Sequence, residues 1–235
     1  MTSEMETLHW RDISWAIRRL PRAVRLALES RPSRTFIAGG FIRCAITNES
    51  VNDIDILVAS EEDAHALVNE LAAGKRVYKT ANASTIDFRP PVQVIHRWTF
   101  DTPYQAVESF DFTIAKAAIW FNGDKWIGIC DPTYYADLAA KRLIYTSPAR
   151  NEDAGGSMLR VLKFYQRGYR IPLDSLGAVI ARLCNGVRDI GEHGEEDLAR
   201  LLTGLLVEVD PLLDLEHVAH LATKEPEVQG DTSNP

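Results

Sequence analysis

Cysteine is scarce: Cys44, Cys130 and Cys184 are the only three in 235 residues, and none forms a CxxC pair. That spacing offers neither a disulfide framework nor a zinc site, so the cysteines read as small core residues in a reducing compartment. Long apolar runs are missing too. No stretch approaches the roughly 20 residues of a membrane span, and the acidic start MTSEMETLHWRD holds no signal-peptide run. A cytoplasmic protein with no membrane partner is expected. Positive charge is also in deficit, with a formal net charge of -7, which argues against broad attraction to polyphosphate while leaving room for a local basic groove. Nothing resembles a Ser-His-Asp or Cys-His nucleophile set.

What remains is globular composition, 46% apolar and 25% charged, enough for one large domain or two small ones. Between Met5 and Ser30 apolar residues recur at helical spacing broken by Pro21, which predicts a kinked helix or two short ones. Strands are predicted at 35–38, 51–59, 76–80, 85–88 and 92–98, with a helix over 61–73 and a hairpin whose strands are the apolar run FDFTIAKAAIWF, carrying Asp111, and KWIGIC, joined at Asn122-Gly123-Asp124. Past Pro132 the pattern turns helical, including 135–145, 158–166, 173–183, 195–209 and 213–222. The expected architecture is an α/β (α+β) fold, a mixed sheet flanked by helices and followed by an all-helical lobe. Its expected parts are a catalytic domain over 1–131, a helical lobe over 132–222 and a disordered tail over 223–235.

Chemistry concentrates in AGGFIRCAITNESVNDIDILV, residues 38–58. Gly39-Gly40 closes a short apolar strand and opens a helix, and such a turn lets phosphate oxygens approach backbone amides at a positive helix end. Twelve residues later, Asp53 and Asp55 lie on one face of a strand whose alternate residues Ile54, Ile56 and Val58 point into the core. Two carboxylates about 6 to 7 Å apart repel each other, and a divalent cation removes that penalty. Magnesium takes carboxylate oxygens and leaves room for substrate phosphates, so glycine turn and aspartate pair together describe a nucleoside triphosphate site.

This order of elements resembles the active-site signature of the DNA polymerase beta nucleotidyltransferase superfamily. AGGFIRC is similar to the Gly-Gly-x-x-Arg-Asp of class II CCA-adding enzymes and poly(A) polymerases, with Arg43 in the arginine position and Cys44 where those enzymes carry aspartate. SFDFTIAKAAI is similar to their Arg-Asp-Phe-Thr-Ile-Asn-Ala segment through Asp111, Phe112, Thr113 and Ile114, and MLRVLKFYQRGYRI resembles their Met-Leu-Arg-Ala-Val-Arg-Phe run. The base-reading Asp and Arg of that family fall on Ala154 and Ser157, in a stretch read as a flexible connector, and the chain is short of tRNA-holding domains. CCA addition is therefore not expected. The whole looks more like small stand-alone nucleotidyltransferases of bacteria and phages.

The resemblance implies magnesium- or manganese-dependent transfer of a nucleoside monophosphate from an NTP, ATP among them, with pyrophosphate release through a two-metal site. Asp53 and Asp55 would hold the metals with a third carboxylate, for which Asp111 is favoured over Asp87; Gln93 stands where another carboxylate could have been. Asp111 could instead cap a turn or contact the ribose. Gly39, Gly40, Arg43, Arg160 and Lys163 are the expected nucleotide contacts, with Lys116 and Lys141 as further cations. The acceptor is open among RNA (including tRNA), a small molecule and a protein, and a nucleotide-binding protein that has lost catalysis is the alternative. The five tryptophans read as core aromatics, Tyr134-Tyr135 or Tyr165 as possible base-stacking residues, and His217 and His220 beside Glu216 as a surface face.

Overall fold

The computed structural model describes residues 4–148 and 154–209. The helix expected at 213–222, the pair His217 and His220, and the tail lie outside these. Among the described residues no helix is long and apolar enough to cross a membrane.

Pro21 divides the N-terminal amphipathic stretch into α1 (Trp10–Arg19) and α2 (Arg22–Glu29), because a proline ring fixes its own φ and cannot donate to the preceding turn. β2 (Thr35–Ala38) then runs into α3 (Gly40–Thr47), and β3 (Ile54–Val58) is followed by α4 (Glu61–Leu71). The Ser60 hydroxyl caps α4 by accepting from the Asp63 amide at 3.2 Å. β4 (Val77–Lys79), β5 (Ala83–Ile86) and β6 (Val92–Thr99) lead to α5 (Pro103–Glu108), whose capping box joins Thr102 and Gln105. The hairpin forms as expected from β7 (Ala117–Phe121) and β8 (Trp126–Cys130).

With the two-residue β1 (Glu6–Thr7), these strands make one eight-stranded sheet in the order β1-β8-β7-β2-β3-β6-β5-β4. Every neighbouring pair is antiparallel except β3 and β6. The central strands are apolar on both faces, as double cover requires. Phe36, Ala38, Leu57, Ala118, Trp120 and Ile129 pack with Ala106 and Val107 of α5, while Ile37, Ile54, Ile56, Val58 and Ile119 are buried among the alternate positions.

Two segments depart from the sequence reading. The apolar run FDFTIAKAAIWF is not one strand: a 3₁₀ turn at Thr113–Ala115 precedes β7, so Asp111 sits in a bend. The helix expected over 135–145 is the shorter α6 (Tyr134–Ala139), ended where Lys141 takes a positive φ of 48° and Leu143 donates to the Arg170 carbonyl.

The chain divides into two compact units, Met1–Arg150 with Phe164–Ala178, and Asn151–Lys163 with Val179–Pro235. α7 (Ala154–Gln166) and α8 (Leu173–Asn185) run from one to the other, and α9 (Glu195–Val209) belongs to the second. In that second unit Gly155 packs directly against the Leu205 carbonyl of α9, leaving no room for a Cβ. Ala154–Ser157, expected as a flexible connector, begins α7.

Candidate active site

The glycine turn and the aspartate pair meet at one end of the sheet. Thr35 pairs with Val58, Phe36 with Leu57 and Ile37 with Ile56; one further step of that register brings Ala38 alongside Asp55 and the turn towards Asp53. Gly39 is the N-cap of α3 with φ 71° and ψ -128°, a conformation that favours glycine. Its amide donates to the Ala117 carbonyl at 3.1 Å, which fastens the turn to β7. An added Cβ there would press the Phe110 ring at 3.3 Å, so the FDF segment stands directly against the turn. The leading amides of α3 have no partner within the helix by its geometry, and together with the helix dipole they favour an anion.

Asp53 lies just ahead of β3 and Asp55 within it, both half-buried. Burial, then the neighbouring Asp53 charge, push the Asp55 carboxyl up to about 7. The pair therefore suits a hard cation, whose charge would remove the repulsion that raises Asp55. Across the parallel pairing Asp55 faces Gln93, which is flanked on its other side by Thr85 of β5.

Asp111 is buried, and its carbonyl accepts from the Thr146 amide at 2.8 Å. Its charge acts on Lys116, as do those of Asp131 and Glu108. Burial lowers the Lys116 ammonium, and these three carboxylates oppose that shift. Asp87 is exposed just beyond β5, with its amide donating to the Arg76 carbonyl at 3.0 Å. Among the described residues no three His, Cys, Asp or Glu side chains gather as a metal-holding cluster. Asp53 and Asp55 alone form a two-carboxylate pair, which suits a hard cation only where other oxygens complete its shell.

Arg43 is deeply engaged. Its side chain is 4% exposed, lies 3.4 Å from the Glu49 carboxylate, and stacks on the Phe164 ring at 4.8 Å. Nη2 lies 3.4 Å from the Cys44 sulfur, and the Tyr169 hydroxyl donates to Glu49 at 3.0 Å. Glu49 thereby supplies a carboxylate partner for Arg43 where the sequence carries Cys44. Arg160 is half-buried and Lys163 exposed, both on α7 in the second unit; Lys141 is exposed and donates to the Arg167 carbonyl at 3.3 Å.

The aromatic expectations need correction. Trp10 and Trp15 are 67% and 49% exposed rather than core, because each sits on the outer face of amphipathic α1. Tyr134 is fully buried and Tyr135 is bound to α1, donating to Asp12 at 2.7 Å, so neither presents a free face for a base. Tyr165 is exposed, but Arg170 stacks on it at 4.8 Å. The Glu49–Tyr169–Phe164 surround of Arg43 was missed in the sequence; the only trace was an acidic residue just past the helix.

Comparison with solved structures gives the same fold. A Thermotoga maritima CCA-adding enzyme complexed with tRNA matches with a TM-score of 0.54 at 18% identity, covering 91% of this chain and 56% of that one. CCA-adding enzymes in complex with CTP and with ATP match at TM-score 0.56 with 18% and 20% identity, covering 89% of this chain and 52% of theirs. The chain thus spans about half the length of these enzymes. No curated protein matches. A family model does, over residues 12–141, more than half of the chain: this nucleotidyltransferase-like fold belongs to the Gabija anti-defense 2 (Gad2) family.

Proposed function

We propose that the chain is a nucleotidyltransferase that moves a nucleoside monophosphate from an NTP to an acceptor, in the service of countering the defence its family is named for. The observation that carries this reading is the strand register that sets the Gly39 turn beside Asp55 and Asp53 at one sheet end. The turn and the first amides of α3 bind the triphosphate, and Asp53 with Asp55 would hold a magnesium or manganese ion. When bound, such an ion would supply positive charge against the charge that moves towards the leaving pyrophosphate. Phe110 packs beneath the turn and keeps its backbone in the phosphate-binding shape, and Asp111 takes the ribose-side role that the resemblance offers. An acceptor hydroxyl oxygen forms the new bond to the α-phosphorus, the bond to the bridging oxygen breaks, pyrophosphate departs, and the hydroxyl proton passes to solvent.

The test is to incubate the chain with each NTP labelled at the α-phosphate, magnesium or manganese, and separate RNA, protein and metabolite fractions, including components of the defence. Label should enter one fraction and vanish with Asp53→Asn or Asp55→Asn. Full labelling by both variants sinks the reading.

A second reading, a nucleotide-binding protein without transfer, is favoured by Gln93 opposite Asp55 and by the engagement of Arg43 away from solvent. Calorimetric NTP binding with no labelled product in any fraction would select it.

A further inference from the structure

On the helical side of the first unit, α1, α2 and β8 enclose a cleft of about 390 Å³. Trp10 and Trp126 supply flat aromatic surface, Ile13 and Ile17 an apolar floor, and Arg18 and Arg25 positive charge. Glu29 also lines it, but its carboxylate accepts from the Trp126 indole N–H at 3.1 Å and lies 3.9 Å from Arg25 Nε. Arg25 Nε is buried with no hydrogen-bond partner among the described residues, a donor lacking an acceptor. Around the cleft, α1 and α2 carry Arg11, Arg18, Arg19, Arg22 and Arg25 against Asp12 and Glu29, in a chain that is acidic overall. Asp12 is already taken up by Tyr135.

We infer that this cleft binds a nucleotide unit, its base on the indoles of Trp10 and Trp126 and its phosphate on Arg18 and Arg25, at a site separate from the Gly39 turn. An anion alone would satisfy the arginines and leave the exposed Trp10 indole uncovered. An apolar group alone would leave the Arg25 donor without an acceptor. A base joined to a phosphate uses both halves, and stacking on indole tolerates any base. A volume near 400 Å³ is that of a small-ligand cleft, enough for one such unit. Trp10, 67% exposed at the outer face of α1 with Arg11 5.5 Å from its ring, is thereby given a role that core packing does not provide. The unit comes either from a free nucleotide or from a single-stranded RNA threading across α1, and this inference stands whether or not the aspartate pair supports transfer.

The experiment uses the full chain and two probes, AMP and a 5′-labelled octaadenylate RNA, followed by tryptophan quenching and fluorescence anisotropy at low salt. The variant is Trp10→Ala with Arg18→Ala, both at exposed positions, with circular dichroism confirming the fold; Arg18→Ala alone is the second variant should the pair misfold. Loss of roughly tenfold or more in octaadenylate affinity, with AMP binding weak, identifies a strand-borne nucleotide. Equal loss for AMP identifies a free nucleotide. Undiminished binding of both probes by the variants, no binding by the parent chain, or equal competition by polyglutamate overturns the inference. Asp53→Asn with Asp55→Asn, run in parallel, should abolish transfer while leaving the variant-sensitive binding intact, which separates failure of this site from failure of the catalytic reading.

Discussion

Gln93 of β6 lies directly opposite Asp55 of β3 in the parallel pairing that joins the two halves of the sheet. A neutral amide therefore occupies the neighbouring-strand position nearest the aspartate pair, where a third carboxylate would share the cation. Gln93→Glu should add that charge. Without metal it should lower the melting temperature at pH 8 by several degrees through like-charge repulsion, and millimolar manganese should restore it. A variant melting like the parent with and without manganese would show that position 93 does not face the cation site.

Asp55 gives a pH signature. Its folded carboxyl is raised to about 7 while the unfolded one titrates in the ordinary carboxylate range, so the folded state binds more protons between about pH 4 and 7. Stability should fall as pH rises through that window. Asp55→Asn removes the term, so it should be more stable than the parent chain at pH 8, with the difference closing towards pH 4. Urea denaturation at pH 4.5, 6 and 8 measures this; a difference independent of pH counts against a raised carboxyl. Magnesium binding should likewise strengthen with pH up to about 7, since cation and proton compete for the same oxygens.

Arg43→Ala should cost about 3 kcal/mol, because it leaves Glu49 half-buried beside Tyr169 without its cation and empties the space over Phe164. Arg43→Lys keeps the charge, loses the stacking, and should cost less. Denaturant midpoints with an unchanged slope decide this; a cost below about 0.5 kcal/mol would mean that Arg43 is free to serve the nucleotide instead.

Gly39→Ala should destabilise by about 1–2 kcal/mol, from the positive φ and from pressure on the Phe110 ring. It should weaken NTP binding by more than that stability loss explains, since the added methyl would stand at the turn proposed to receive the phosphates. Unchanged NTP affinity by calorimetry would remove the turn from the nucleotide site.

The glycine turn, the aspartate strand and the hairpin were legible because each is written locally, as a φ requirement, an alternation of period two and a turn. Asp111 was placed beside the aspartates on a strand because FDFTIA is continuous with the apolar β7; the 3₁₀ turn at Thr113 leaves no mark in hydropathy. Arg43 read as a phosphate contact because its partner Tyr169 acts through Glu49 from 120 residues away. Gln93 was noticed, but that it faces Asp55 rests on strand register, which only folding fixes. Trp10 and Trp15 were assigned to the core on residue type, although Arg11 and Arg19 beside them, at ring distances of 5.5 and 4.8 Å, belong to an outward face.

The tethering of Arg43 bears on how this family can change over time. Gly39, the N-cap of α3, and Arg43, which anchors the helix to Phe164 and Glu49, are four positions apart. Under the proposed function, mutational drift that abolished transfer by changing Gly39 or Asp55 would still be held to arginine at position 43 by the demands of folding. A descendant without the proposed transfer would keep that part of the outward signature, and the aspartates, not the arginine, would record the change.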